Sequence, residues 1–148
     1  MFEFQPPSLA EPRIQTIAKE PSPRVIRTHL QGELLPKQLT EGKAKLLYLA
    51  RNPKDLATSM YYHFGVDPFH PNYNSWSEFY EDFITGQVAF DSWADHVLHW
   101  WNRRHWKNVL FLTYEALIED RRSEIRRISE FLGMPLDDDQ IEHDRGRK

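Results

Sequence analysis

At 148 residues the chain holds one domain at most, with room for a real hydrophobic core but short for an α/β enzyme. A composition of 40% apolar and 28% charged residues is that of a globular protein, and a net charge of −3 gives no long-range pull toward nucleic acid or an anionic membrane. The absence of cysteine excludes disulfides, thiolate metal sites and cysteine nucleophiles.

Residues 1–23 carry five of the ten prolines and no sustained apolar period, so they read as a flexible lead-in. The opening MFEFQPPSLAEPR has no basic region followed by an apolar core, and no apolar run approaches the ~20 residues of a membrane span. The expected location is the cytoplasm. A first strand is expected over 24–28, β-branched at Val25, Ile26 and Thr28, and a short helix started by Pro36 within 32–40. Residues 45–50 form the second expected strand, whose unbroken apolar run LLYLA suits a strand covered on both faces. Asn52 then caps a helix with Pro53 at its first position and Asp55 in its first turn. Leu56, Met60, His63 and Phe64 mark its inner face, and Gly65 ends it.

A Pro/Asn-rich loop covers 67–74. The run Ser75-Trp76-Ser77-Glu78 reads as a capping box, and Trp76, Phe79, Tyr80, Phe83 and Ile84 then fall at helical spacing until Gly86. A further helix is expected over 92–104 with Trp93, Val97, Leu98, Trp100 and Trp101 inward. A third strand is expected over 109–113, and a last helix over 122–132 that stops at Gly133. Residues 136–148 read as a polar tail, leaving 24–135 as the core of a single domain. Helices alternating with short apolar strands place the chain in the α/β class with a parallel sheet of about three strands, fewer than such sheets usually have.

Chemically capable residues gather where the apolar runs end, which is where open α/β sheets build sites. After the first come Arg27, Thr28 and His29; a histidine with an ordinary pKa of about 6.5 can serve as a general base at neutral pH. Position alone favours a simple hydrogen-bonding role at the loop start. After the second come Arg51 and, two turns into the capped helix, Ser59. An arginine fork, helix-start amides and a hydroxyl make an anion site. A surface arginine paired with Asp55 is an equal reading of the same residues. The histidines show no metal spacing; His96 and His99 stand beside Trp100 and Trp101 and read as packing. Arg121, Arg122, Arg126 and Arg127 alternate with Glu119, Asp120, Glu124 and Glu130, a solvated face of i,i+4 pairs rather than a nucleic-acid patch. Neither GxxxxGK[ST] nor GxGxxG can be drawn.

The segments SPRVIRTHL, KLLYLARNPKDLATSMYYHF, SWADHVLHWW and VLFLTYEALIEDRRSEIRRISEFLG resemble the middle of a cytosolic sulfotransferase, over about residues 21–135. The resemblance implies a P-loop-type three-layer fold and transfer of a sulfuryl group from 3′-phosphoadenosine-5′-phosphosulfate (PAPS) to the hydroxyl (or amine) of a small acceptor of phenol or alcohol type, with no metal. It assigns His29 as the base, Arg51 and Ser59 to the nucleotide 3′-phosphate, and Tyr114 to the adenine side. Arg27 stands where the family often has lysine, near the transferring group.

The sequence departs from that pattern in several places. No TYPKSGTTW-like phosphosulfate loop, no RKG segment and no C-terminal dimerisation motif is present, and Asp91 stands where Gly-Ser-Trp is usual. The expectation is therefore a partial, truncated domain with an incomplete sheet and unpaired edges, and with oligomeric state left open. Its activity alone would be weak or absent. The other expectation is a non-catalytic module that binds adenosine 3′,5′-bisphosphate or a protein partner.

Overall fold

The computed structural model describes residue 17, residues 19–66 and residues 72–143. Two parallel strands stand at its centre: β1, Leu46–Ala50, and β2, Val109–Thr113. They pair in register from Leu46 opposite Val109 to Ala50 opposite Thr113. That register matters later, because it brings the residues following the two strands side by side.

The sheet among the described residues has two strands, not about three. Residues 24–28 are extended chain outside any sheet, with Val25 94% and Ile26 51% exposed. Their β-branched composition marks a fit to a pleated, half-buried surface, and no strand among the described residues pairs with them. LLYLA also differs from expectation. Its burial alternates, with Leu47 45% and Leu49 50% exposed while Ala50 is buried, so β1 is an edge strand with one open face. An unbroken apolar run states what a strand could bury, not what is there to cover it.

The helices follow their local signals closely. α1, Pro53–Phe64, starts at Asn52, whose side chain accepts the Lys54 N–H at 2.9 Å, with Pro53 at its first position. Its inner face is Ala57 and Phe64, with Leu56, Met60 and Tyr61 packed alongside; His63, expected inside, is exposed. α2, Trp76–Thr85, begins where Ser75 Oγ accepts the Glu78 N–H at 3.2 Å and ends at Gly86 in the left-handed region (φ 74°). The Glu78 carboxylate reaches back to the Asn74 N–H at 3.1 Å, one residue before the position a capping box uses. Phe79 is 0% exposed and centres the core with Ala57, Phe64, Phe83 and Val88. Trp76, Tyr80 and Ile84, expected inside, form an exposed stripe on the same helix.

α3, Trp93–Trp101, is shorter than 92–104, and of its expected inward residues Trp100 is buried while Leu98 and Trp101 are exposed. β2 runs straight into α4, Tyr114–Glu119, capped by Thr113, whose hydroxyl accepts the Ala116 N–H at 3.3 Å. Asp120 then caps α5, Arg121–Leu132, by accepting the Ser123 N–H at 3.1 Å. The short helix expected around Pro36 appears as a 3₁₀ turn, Gly32–Leu34, and a π turn, Leu39–Lys43.

The polar tail is corrected most. α6, Asp138–His143, buries Ile141 to 5% exposure. Asp137 and Gln140 satisfy each other's N–H groups reciprocally at 2.8 and 3.0 Å, a capping box that the sequence spells as Asp-x-x-Gln. Arg122, Arg126 and Arg127 of α5 stay partly solvated, but their pairs are not at i,i+4. Arg122 pairs with Glu142 at 2.9 Å and Asp138 at 3.3 Å, Arg126 also pairs with Asp138, and Arg127 grips the buried Glu124 with both carboxylate oxygens. The expected lead-in (1–16 and 18), most of the 67–74 loop and residues 144–148 lie outside the described residues. No helix among the described residues is long and apolar enough to cross a membrane.

Candidate functional site

Because Ala50 pairs with Thr113, Arg51 and Tyr114 leave their strands as neighbours. The Arg51 guanidinium carbon lies 4.6 Å from the centroid of the Tyr114 ring, a cation–π contact at the carboxyl ends of both strands. Its Nε is buried and has no hydrogen-bond partner among the described residues. Arg51 is thus held by a ring rather than by an ion pair with Asp55. A buried N–H of a cation left open is costly, and native structures that keep one usually have a use for it.

The start of α1 stands directly behind this arginine. Beyond the Asn52 side-chain cap, the Asn52 N–H donates to Glu115 Oε1 at 2.8 Å. That backbone hydrogen bond, its own N–H and the nearby Arg51 charge hold the Glu115 carboxyl below its ordinary range, so an anion approaching the helix start meets a carboxylate already seated there. Ser59 is exposed on α1, about 10 Å of helix rise from Asn52. The strand-end arginine and the ring beneath it therefore meet, while no contact joins the Ser59 hydroxyl to them among the described residues.

His29 and Arg27 stand on another segment, both exposed. This segment is pinned by side chains rather than by a sheet. The Leu30 N–H donates to Thr28 Oγ1 at 3.0 Å, and Gln31 Nε2 donates to the Phe90 carbonyl at 3.0 Å. The His29 carbonyl accepts from His96 Nε2 at 3.2 Å, and its ring lies 5.0 Å from that of Phe90. His99 Nδ1 hydrogen-bonds the Glu33 carboxylate, which is held low first by its own backbone N–H and then by His99. Gly32 packs against the His99 ring so closely that a Cβ would overlap it.

His96 and His99 are therefore polar anchors as well as packing groups. The signal was available: two histidines on one helix face, three residues apart, opposite a segment with few apolar residues of its own. Phe90 (φ 72°) and Asp91 (φ 64°) both adopt the left-handed conformation beside His29. Asp91 occupies the position where the resemblance expects glycine, and the backbone shows why glycine suits it. Glu115 and Phe90 had no sequence signal that marked them out. Among the described residues no group of three or more His, Asp or Glu side chains is placed to hold a metal ion.

Fold and site together define an α/β domain whose Arg51 and Tyr114 meet where its two parallel strands end. The sulfotransferase domain family matches residues 7–145. Sulfotransferase 1B1 of Mus musculus is 42% identical over 143 residues, covering 96% of this chain and 48% of that protein. Sulfotransferase 1A1 of Bos taurus is 39% identical over 142 residues, with the same coverage of 96% and 48%. The crystal structure of mouse sulfotransferase SULT7A1 complexed with PAP superposes with a TM-score of 0.84 at 36% identity, over 88% of this chain and 47% of that one. Retinol dehydratase in complex with androsterone and inactive cofactor PAP gives 0.80 at 32% identity, over 90% and 39%. The chain belongs to the sulfotransferase family, and it spans about half the length of the curated relatives it matches.

Proposed function

We propose that this chain carries the acceptor-side and 3′-phosphate half of a PAPS-dependent sulfotransferase site. The observation that carries the reading is the buried, unpartnered Nε of Arg51, laid on Tyr114 at the start of a capped helix. Arg51 and Ser59 would hold the nucleotide 3′-phosphate, by charge-assisted and hydroxyl hydrogen bonds, and Tyr114 would flank the adenine. SULT7A1 and retinol dehydratase were solved with PAP, which supports a 3′-phosphate nucleotide as the ligand class. Retinol dehydratase also binds retinol and androsterone, which favours a small hydroxyl-bearing acceptor here.

In the reaction the acceptor oxygen attacks sulfur in line, and the bond from sulfur to the leaving phosphate oxygen breaks. The acceptor proton passes to the His29 imidazole, which stands exposed. The Arg27 guanidinium would neutralise charge on the transferring group, with a geometry unlike that of lysine. No TYPKSGTTW-like loop is present to stabilise the leaving phosphate, and one lost donor of that kind costs about 10²–10³ in rate. The 148 residues alone are therefore weakly active or inactive. The cysteine-free composition suits the cytoplasm.

The missing loop also favours one other reading, a module that binds adenosine 3′,5′-bisphosphate without turnover. Radiolabel transfer from PAPS to a panel of phenols and alcohols, beside thermal melts with the bisphosphate, separates the two. Weak transfer that vanishes in His29→Ala supports the enzyme; ligand stabilisation without transfer supports the module. Turnover equal to that of a full-length relative would overturn the expected inactivity. The absence of both transfer and a ligand-dependent melt would overturn the nucleotide site itself.

A further inference from the structure

We infer that His96, fixed in one tautomer by Tyr48, is the positioning residue of the His29 loop. The inference rests on the reading of His29 as the base, and it adds how a base on an exposed segment outside any sheet comes to have a defined place.

A backbone carbonyl only accepts, so the 3.2 Å contact between His96 Nε2 and the His29 oxygen requires the proton on Nε2. In the neutral ring Nδ1 then carries a lone pair, and it receives the Tyr48 hydroxyl proton at 2.9 Å. Burial pushes the Tyr48 phenol well up, which keeps that hydroxyl a donor. Each bond thus selects the direction of the other.

Tyr48 is itself fixed. It sits mid-strand in β1 opposite Phe111, with the rings 5.2 Å apart, and stacks on Trp100 at 5.8 Å and on His96 at 5.5 Å. A continuous path therefore runs from the sheet through Tyr48 and His96 to the main chain of His29. The anchors at Gln31 and Glu33 hold the residues that follow, whereas His96 grips residue 29 itself. Losing it frees the His29 Cα to shift, and a misplacement near 1 Å can cost on the order of 10²-fold in rate.

The test uses the whole 148-residue chain labelled with ¹⁵N-histidine and read by long-range ¹H–¹⁵N correlation near neutral pH. His96 is expected as the Nε2–H tautomer, with its Nδ1 resonance moving in Tyr48→Phe as the donated proton is lost. In His96→Leu the heteronuclear NOE at residues 28–30 should fall and the His29 ring shifts should move to solvent-averaged values. In His96→Gln, whose amide can still donate to the carbonyl, both should return toward the wild type. Where transfer is measurable, His96→Leu should lower kcat at unchanged KM for PAPS and His96→Gln should restore it. An Nδ1–H tautomer at His96, or an unmoved His29 in a folded His96→Leu, overturns the inference. If the leucine variant does not fold, the wild-type tautomer and the Tyr48→Phe shift decide alone. None of these spectra depends on nucleotide binding, so a failed bisphosphate melt would refute the functional reading and leave this result standing.

Discussion

Replacing Arg51 with glutamine separates what the arginine does for the fold from what it does for a ligand. In the free chain the change removes a cation–π contact worth about 0.5–1 kcal/mol at a partly exposed site. It also removes a buried N–H with no partner, a group that costs roughly 1–3 kcal/mol to keep. These terms oppose each other, so the free-state stability should stay level or rise by up to about 2.5 kcal/mol. With the bisphosphate bound the terms add instead. One lost charge-assisted hydrogen bond, about 1.5–3 kcal/mol, weakens binding by roughly 10–150-fold. At a ligand concentration of 100 times the wild-type Kd, the wild type gains about 2.7 kcal/mol, whereas a variant weakened ~100-fold gains about 0.4. For a chain of this size that is a thermal shift of about 8 °C reduced to about 1 °C. Differential scanning fluorimetry over a ligand titration reads both numbers. A full ligand shift in Arg51→Gln would refute the reasoning, since the open guanidinium nitrogen would then serve the fold alone.

Four further outcomes follow from particular contacts. Phe79→Ala removes a fully buried ring that touches Tyr61, Phe64, Tyr73, Trp76 and Phe83, and should cost about 3–5 kcal/mol in urea denaturation; a loss below about 1 kcal/mol would show that the ring is not the centre of the core. Asp91→Gly relieves a left-handed aspartate at φ 64°, offset in part by glycine's extra unfolded-state freedom, and should raise the stability read from urea denaturation by a few tenths to about 1 kcal/mol. Gly32→Ala places a methyl on the His99 ring and should shift the backbone amides of residues 28–33 while leaving those of α5 unmoved in a ¹H–¹⁵N spectrum. The Asp138 carboxyl is held low by Arg122 and then Arg126, so its stabilising share is present above the ordinary aspartate range and lost as pH falls through the folded value. Hydrogen-exchange protection of residues 138–142, taken relative to the intrinsic rate at each pH, should accordingly fall below about pH 4, and Asp138→Asn should show the lowered protection at neutral pH already.

The features legible in the sequence are those whose cause is local. Asn52, Ser75, Thr113 and Asp120 cap helices through side chains two or three residues from the N–H they bind, and the first two were read from the chain alone. The last two were legible in principle. Each sits beside another element with no intervening loop, so β2, α4 and α5 blur into one apolar-to-charged run. Strand 24–28 failed because a strand needs a neighbour that no local pattern supplies. The inner faces of α2 and α3 were half right for a related reason. Helical spacing identifies an apolar stripe, but Trp76, Tyr80 and Leu98 are covered only if something stands opposite them. At the site, Arg51 and Ser59 were visible as types and spacings, and Tyr114 only through the family resemblance. The Glu115 carboxylate accepts from the Asn52 backbone N–H and Phe90 accepts through its own carbonyl, so in each bond one partner is main chain and leaves no trace in residue type.

The two clusters of candidate residues are held by different physics, and that determines how each can fail. Arg51 and Tyr114 owe their meeting to strand register: sliding β1 by one residue against β2 would turn Arg51 to the opposite face, and the five-residue pairing prevents it. His29 owes its place to side-chain hydrogen bonds across an exposed segment, each open to competition from water. Mutations in the Phe79 core should therefore unfold the chain without first separating Arg51 from Tyr114, while changes on α3 should move His29 without touching the strand ends. Tyr48 is the exception. Its backbone lies in the strand that ends at Arg51, its ring packs on Phe111, and its hydroxyl sets the His96 tautomer. Tyr48→Phe keeps the ring and removes only the hydroxyl, so it should loosen His29 while the Arg51-dependent ligand shift stays intact. Tyr48→Ala should impair both. A ligand shift lost in Tyr48→Phe would mean that the two clusters are coupled by something other than this ring.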